Sequence, residues 1–191
     1  MELDRIASRL KGIPPSRLIV IGYRSVTPKY ATGTDLLTGE GSRTHGGRWN
    51  PPGVAAIYAS LTPETAMQEM LAHFRYYDIP LHAAMPRVFV AIRFRLTSVL
   101  DLTKGEHRQR LRISERRMLE CDWRKELERG AVSLTQMVGQ AARESGFEAV
   151  LAPSAEDKGG RNIVVFPAKL RTSSELAVLD PEKVVPNIGA L

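Results

Sequence analysis

The chain has 191 residues and a mass of 21.2 kDa, which is enough for one substantial hydrophobic core but short for two. Hydrophobic residues at 43% and charged residues at 25% are typical of globular proteins and argue against disordered, fibrous and membrane-embedded classes. The net charge of +6 favours a polyanionic partner, and the single cysteine, Cys121, excludes an intramolecular disulfide and a thiolate metal cluster within one chain.

The N-terminal sequence MELDRIASRLKG predicts a helix over residues 2–11 rather than a targeting segment. It alternates charged and apolar residues and lacks the continuous apolar core of a signal peptide. No stretch of the chain approaches the length of a membrane span. We therefore expect a cytoplasmic protein with no membrane partner.

After two consecutive prolines, RLIVIGYR predicts a buried strand that ends with Tyr23 and Arg24. The following passage, residues 27–53, contains six glycines and three prolines, which is too irregular for a regular element and too long for a plain connector. Such a long structureless passage in a compact domain is usually functional.

VAAIYAS, residues 54–60, predicts a second strand, and the hydroxyl, proline and acid of Thr62-Pro63-Glu64 predict a helix start. This helix should run to about Tyr77. Glu69 lies at the edge of its apolar arc, with His73 one turn further on. A carboxylate in that position can border a cavity.

The second half of the chain adds a strand over residues 86–96, a charged helix over 106–129 and a capped helix over 133–145. EAVLAP, RNIVVFP and ELAVLD predict three short strands near the C-terminus. Strands and helices interleave without strict alternation, so the expected fold class is α+β. The charged helix mixes both signs at four-residue spacing, which favours a solvated face over a nucleic-acid groove.

The block GGRWNPPG, residues 46–53, allows two interpretations. Paired glycines let a backbone approach a ligand closely, and Arg48 offers a planar fork of donors suited to phosphate oxygens. The alternative is a tight loop with a solvated arginine and a tryptophan that plugs the core. The residues of this block alone do not decide between a ligand-binding loop and a structural loop.

Several blocks resemble, in order and spacing, the landmarks of the RES-domain family: Tyr23-Arg24, GGRWNPPG, IYAS, TPETAMQE and LAPSAEDKGGRNIVVFP. The family is named for an arginine, a glutamate and a serine, which match Arg24, Glu69 and Ser154. The resemblance covers about residues 20–167 of a single domain, with a helical segment over 1–14 and a strand segment over 170–191. Residues 33–46 and 103–130 carry no family landmark.

The resemblance implies a fold similar to the diphtheria-toxin class of ADP-ribosyltransferases, with a central split or mixed sheet flanked by helices. It implies an enzyme that takes NAD as substrate, without a cofactor, and cleaves its nicotinamide–ribose bond by phosphorolysis or hydrolysis. RES proteins are typically toxins of bacterial toxin–antitoxin pairs, opposed by an Xre-type antitoxin. Some members are described as ADP-ribosylating a protein target.

Cleavage of this bond passes through an oxocarbenium-like state, so a fixed carboxylate should stabilise the developing positive charge, and we expect Glu69 to do so. Arg24 and Arg48 are the candidates for holding the pyrophosphate or inorganic phosphate. Ser154 is expected to donate a hydrogen bond to the substrate rather than to act as a nucleophile, because no His or Lys in the matching blocks is an evident activating base.

Further substrate contacts are expected from the same blocks. Tyr58 and Tyr30 are expected to pack a ring against nicotinamide or ribose. Gly47 and Asn50 belong to the GGRWN block, and Asn162 is expected to orient the region around Ser154.

Two other functions are kept as alternatives: a mono-ADP-ribosyltransferase that modifies a protein, and a nucleic-acid-binding module without catalysis. The basic balance motivates the second, but its basic residues are interleaved with acids, so no direct nucleic-acid partner is expected. The four histidines show no metal-ligand spacing, so no metal is expected. Self-association is left open.

Overall fold

The computed structural model describes residues 2–31 and 33–179. The part of the C-terminal strand segment that was expected beyond residue 179 lies outside these residues. In the described part, the strands are β1 (Ser16–Val26), β2 (Ile57–Ser60), β3 (Val88–Asp101), β4 (Ala149–Pro153), β5 (Arg161–Val165) and β6 (Glu175–Leu179). The helices are α1 (Glu2–Leu10), α2 (Gly33–Thr38), α3 (Glu40–His45), α4 (Pro63–Tyr76), α5 (Leu81–Ala84), α6 (Gly105–Leu111), α7 (Glu115–Leu119), α8 (Trp123–Glu128) and α9 (Leu134–Glu144).

The six strands form one mixed sheet in the order β1-β2-β5-β4-β3-β6, and β1 also pairs with β3. The β3–β4 pair is parallel, whereas the other pairs are antiparallel. Because β1 pairs along most of its length with β3 but meets β2 through Tyr23 and Ser60, the sheet closes into a ring that is split between β1 and β2. The expectation of a mixed, split sheet in an α+β fold is confirmed.

Two apolar layers explain why the C-terminal strands are apolar without alternation. On β4, Val150 and Ala152 pack with the layer that contains helices α1 and α9, whereas Ala149 and Leu151 pack inside the ring of strands. A strand buried on both faces has no solvent side on which to place polar residues. Strand β3 instead alternates, with Phe94 fully buried and the neighbouring arginines exposed.

The predicted helix over 106–129 was wrong, because the chain forms three short helices there. Arg112, with φ of 58°, ends α6 in the left-handed region. The side chains of Ser114 and Asp122 then accept the N–H groups of Arg117 and Lys125 and start α7 and α8. Each of these caps breaks the continuity that charge spacing alone suggested.

The expectation that residues 27–53 contain no regular element was also wrong. Helices α2 and α3 occupy much of this passage, separated by Gly39 at φ of 69° and ended by Gly46 at φ of 73°. The buried side chain of Leu36 anchors α2 on the core. The glycines that made the passage look structureless are therefore helix boundaries.

Helix α4 follows its predicted limits, since Thr62 caps it through the N–H of Thr65 and Pro63 occupies its first turn. Helix α9 likewise has a capping box formed by Ser133 and Gln136. None of the helices in residues 2–31 and 33–179 combines the length and the apolar character that a membrane span requires.

Candidate active site

A cavity of about 490 Å³ lies where β1 separates from β2, within the size range of small-molecule and cofactor pockets. Its walls come from the end of β1, the residue 46–49 turn, β2, α4 and α8. The split of the sheet exposes polar side chains here that would otherwise lie under a neighbouring strand. Arg24 and Glu69 both line this cavity.

Glu69 is held in place by two hydrogen-bond donors from distant parts of the chain. Its Oε1 accepts the hydroxyl of Ser154 at 2.6 Å and the side-chain N–H of Asn162 at 2.5 Å. Asn162 is oriented in turn, because its Oδ1 accepts the hydroxyl of Ser60 at 2.7 Å. Charge-assisted bonds of this kind fix the carboxylate at one position on the cavity wall.

Ser154 is only 5% exposed and is not among the residues that line the cavity. Its hydroxyl donates to Glu69 and accepts the backbone N–H groups of Glu156 and Asp157, both at 3.1 Å. The hydroxyl proton therefore points to Glu69 rather than to a ligand. The backbone turn at 154–157 fixes the serine, and the serine fixes the glutamate.

Two arginines without a described carboxylate partner meet beside the cavity. Arg24 Nη1 donates to the Leu36 carbonyl at 3.3 Å, and Arg87 donates to the hydroxyl of Ser25 at 3.2 Å and to its carbonyl at 3.0 Å. Burial first, and then repulsion from Arg87, lowers the pKa of Arg24, whereas burial lowers the pKa of Arg87. Two partly desolvated cations in one cavity create a site for an anion.

The GGRWN block forms a tightly bonded turn. Asn50 is fully buried and donates to the carbonyls of Val54 at 2.7 Å and Ser42 at 2.9 Å. Its Oδ1 accepts the hydroxyl of Tyr58 at 2.6 Å, and that hydroxyl also accepts the N–H of Trp49 at 2.9 Å. Burial raises the pKa of Tyr58, which keeps the phenol protonated as the donor of this network.

Gly47 is required by this packing, because a Cβ built there would lie 2.5 Å from the Tyr58 hydroxyl oxygen. Trp49 is 3% exposed and belongs to the core, in agreement with the tight-loop interpretation. Arg48 is not solvated as that interpretation supposed. Its Nη1 donates to the carbonyls of Met118 at 3.2 Å and Cys121 at 3.0 Å, which ties the turn to the segment between α7 and α8.

The structure places some of the predicted site residues in the cavity wall and others outside it. Gly47, Arg48, Tyr58 and Asn162 line the cavity together with Arg24 and Glu69, whereas Asn50 lies behind it. Tyr30 is 54% exposed and lies outside the cavity lining, because Pro28–Tyr30 form a 3-10 turn that leaves its ring in solvent. The structure does not bring Tyr30 to the site.

Sequence reasoning missed a second group of lining residues, which includes Arg87, Glu156, Trp123 and Arg124. Arg87 falls inside the predicted strand over residues 86–96 as one of its basic positions, whereas β3 begins one residue later, at Val88. Trp123 and Arg124 lie in the charged stretch that carries no family landmark. The alternation of basic and acidic residues there gave no signal that one aromatic–arginine pair faces inward.

A mixed, split sheet flanked by helices, with a carboxylate held at the split, defines an α+β domain of the ADP-ribosyltransferase-like class. The family model of the RES domain matches residues 21–184. The chain therefore belongs to the RES-domain family.

The relatives that this chain resembles include proteins from Mycobacterium, Yersinia and Sphingobium. The chain is 30% identical over 141 residues to NAD(+) phosphorylase MbcT of Mycobacterium tuberculosis, which covers 72% of this chain and 69% of the relative. It is 45% identical over 53 residues to Toxin Res of Yersinia enterocolitica, covering 28% of this chain and 34% of the relative. It is 32% identical over 68 residues to the Prs ADP-ribosylating toxin of a Sphingobium species, covering 36% and 42%.

Among solved structures, the crystal structure of the M. tuberculosis MbcT–MbcA toxin–antitoxin complex contains a similar chain. It superposes with a TM-score of 0.69 at 25% identity and covers 95% of this chain and 93% of the matched chain. The similarity therefore extends over nearly the whole chain.

Proposed function

We propose that this protein is an NAD-degrading enzyme that cleaves the nicotinamide–ribose bond by phosphorolysis or hydrolysis and acts as the toxin of a bacterial toxin–antitoxin pair. The observation that carries the proposal is the fixed carboxylate of Glu69 in the same cavity as the arginines Arg24 and Arg87. Similarity to NAD(+) phosphorylase MbcT supports NAD as the substrate.

Glu69 supplies the electrostatic part of the reaction. As the C1′–N bond breaks, its electron pair leaves with nicotinamide and positive charge develops on the ribose ring. A carboxylate already oriented by Ser154 and Asn162 stabilises that charge without reorganising. Both described bonds to this carboxylate use Oε1, an arrangement that leaves Oε2 for the ribose. Nicotinamide leaves as a neutral molecule, so no general acid is needed.

Arg24 and Arg87 supply the binding of phosphate groups. Their pKa values are lowered in the fold, which means that the protein environment disfavours their charged forms until an anion approaches. The negative charge of the dinucleotide's pyrophosphate, or of an incoming inorganic phosphate, stabilises the charged forms of both arginines. The acceptor oxygen then forms the new bond to C1′, and, when water is the acceptor, its proton passes to solvent.

Ser154 and Asn162 act in this proposal as positioning residues rather than as contacts to substrate. Tyr58, Asn50 and Gly47 shape the wall beneath the ligand, and Arg48 joins that wall to the α7–α8 segment. The chain is expected to need no resident cofactor, because bond cleavage requires no electron transfer.

The test is a reaction of purified protein with NAD, with and without inorganic phosphate, followed by mass spectrometry of the ribose-containing product. ADP-ribose 1″-phosphate identifies phosphorolysis and ADP-ribose identifies hydrolysis. Glu69→Gln should leave only a small residual rate of nicotinamide release, whereas Glu64→Gln, which changes an exposed carboxylate on the same helix, should leave the rate unchanged. Binding of NAD without any nicotinamide release would refute the proposal.

The alternative activity and the antitoxin partner are each supported by a different relative. The Sphingobium relative supports mono-ADP-ribosylation of a protein as the alternative, which the same reaction detects as a mass increase on an added protein. The neighbour crystallised with its antitoxin supports an antitoxin partner, which we expect to be of the Xre type. Co-expression of an antitoxin of this type should relieve toxicity.

The nucleic-acid alternative has less support. In α6–α8 two of the arginines are paired with acids, since Arg108 lies 2.7 Å from Glu115 and Arg116 lies 3.5 Å from Glu120. Such pairing reduces the positive field available to a phosphate backbone.

A further inference from the structure

The cavity extends from Glu69 along helix α4 to an aromatic end. Glu69, His73 and Tyr77 are spaced by four residues and all line the cavity, so they form one row along the helix. The row from Glu69 to Tyr77 spans about 12 Å at the rise of an α-helix. The rings of His73 and Tyr77 are in contact, with centroids 4.8 Å apart.

Helix α8 closes this end with Trp123 and Arg124. The guanidinium carbon of Arg124 lies 4.6 Å from the ring centroids of both Trp123 and Tyr76, and 5.9 Å from that of Tyr77. Stacking of this kind holds the planar guanidinium at a defined place without neutralising it. The aromatic end, defined here as His73, Tyr77, Trp123 and Arg124, thus combines flat rings with a fixed cation.

The hydrogen-bonding state of Arg124 is unusual. Its Nε is buried and has no hydrogen-bond partner among the described residues, and none of the ion pairs there involves its guanidinium. Buried donors are nearly always satisfied in proteins. This Nε is itself out of reach of solvent, so a ligand in the cavity would meet the outer guanidinium nitrogens of Arg124, for which no hydrogen bond or ion pair is described.

The positive charge of Arg124 at the aromatic end lies in the same cavity as that of the two arginines Arg24 and Arg87. Burial first, and then the charges of Arg124 and Arg87, lowers the pKa of His73, and Arg87 also lowers the pKa of Arg24. The cavity therefore carries cations from its middle to its aromatic end, while the carboxylate of Glu69 lies at the other end. A matching ligand has its anionic groups in the middle and a flat ring far from the reacting bond.

We propose that the aromatic end is the subsite for the adenosine half of the dinucleotide, with the purine against Tyr77 and Trp123 and Arg124 donating to the adenosine ribose or its phosphate. This inference rests on the proposed function, because it assumes that the bond to be cleaved lies at Glu69. The nicotinamide half then occupies the Glu69 end, and the pyrophosphate passes Arg24 and Arg87. A purine stacks on aromatic rings through its whole face.

The test compares substrates with and without the adenosine half. Nicotinamide release is measured from NAD and from nicotinamide mononucleotide for the wild type, Tyr77→Leu and Arg124→Leu. Arg116→Leu, an 85% exposed arginine on neighbouring α7, is the matched control. Calorimetry with ADP measures binding to the same proteins independently of turnover.

If the aromatic end binds the adenosine half, the variants should lose activity with NAD but not with nicotinamide mononucleotide. Each of the Tyr77 and Arg124 variants should lower kcat/KM for NAD by about tenfold and raise the Kd for ADP by a similar factor, from the usual contribution of base stacking. Neither variant should change kcat/KM for nicotinamide mononucleotide, which also shows that the variants are folded. The control should match the wild type with all three compounds.

Two results would overturn the subsite: equal losses with both substrates, which indicate a structural role, or unchanged NAD selectivity and ADP affinity in both variants. A wild-type protein that binds ADP through Tyr77 and Arg124 but releases no nicotinamide would support the subsite and refute the proposed reaction. The two ideas can therefore fail separately.

Discussion

Replacing Ser154 with alanine separates a positioning residue from a substrate contact. The substitution removes the 2.6 Å hydrogen bond to Glu69 and the acceptor for the N–H groups of Glu156 and Asp157. Asn162 remains as a donor to the same Glu69 oxygen. The carboxylate should therefore stay in the cavity but lose its fixed orientation.

The magnitude follows from the type of bond that is lost. A hydrogen bond to a charged group contributes about 1.5–3 kcal/mol. If all of it is lost from the transition state, kcat falls about 10- to 150-fold. Because Ser154 does not line the cavity, the KM for NAD should change little. The two orphaned N–H groups should also lower the free energy of unfolding by about 1–3 kcal/mol.

The assay is a double-mutant cycle in nicotinamide release with Ser154→Ala, Glu69→Ala and the double variant, each checked for folding by urea unfolding. Since Ser154 is expected to act through Glu69, it should cost almost nothing once Glu69 is absent. Multiplicative losses in the double variant, or a large rise in KM for Ser154→Ala alone, would show that the serine contacts the substrate itself and would refute this reasoning.

Three further predictions concern other parts of the domain. Tyr58→Phe should lower the free energy of unfolding by about 1–3 kcal/mol, seen as a lower urea midpoint, because it leaves buried Asn50 short of a donor; an unchanged midpoint would contradict the network. Arg87→Leu should raise the KM for NAD about tenfold or more, since a charged hydrogen bond to phosphate is lost, and a steady-state assay with unchanged KM would exclude Arg87 from phosphate binding. Burial alone raises the pKa of Glu148, but hydrogen bonds from Ser174 and from the N–H groups of 171, 97 and 98 outweigh it and hold the pKa below its ordinary 4.5. The stability this carboxylate contributes is therefore complete above about pH 4.5 and lost as the pH falls through the lowered value, so urea midpoints of wild type and Glu148→Gln should differ most near neutral pH and converge in acid; a constant gap would contradict it.

Local signals in the sequence located most of the secondary structure correctly. Thr62-Pro63 and Ser133 start helices through caps that depend on adjacent residues, so the sequence displays them directly. The charged stretch failed because its breaks depend on the left-handed backbone of Arg112, a residue with no marked preference for that conformation. Charge spacing fits three short helices as well as one long helix.

The site was predictable only where residues belong to a family block. Glu69 and Ser154 are 85 positions apart, yet the resemblance placed them together before any geometry was known. Their hydrogen bond could not be anticipated, because the direction of a hydroxyl depends on the turn that follows it. Arg87 and Arg124 lie outside the blocks, and only the closing of the sheet and the packing of α8 bring them to the cavity.

The polar groups in and behind the cavity wall fall into two physical kinds, and the difference explains how the site can work. Tyr58, Asn50 and Ser154 have their hydrogen bonds completed inside the protein, so they define shape and orient Glu69. The arginines are stacked or bonded to neutral groups, and no described carboxylate neutralises Arg24, Arg87 or Arg124. Holding these uncompensated cations in the fold lowers the stability of the free protein, and binding of an anionic ligand offsets that cost. The charged groups of the site are therefore already in position before the substrate binds. It follows that NAD analogues lacking phosphate, such as nicotinamide riboside, should be poor substrates even though they contain the reacting bond.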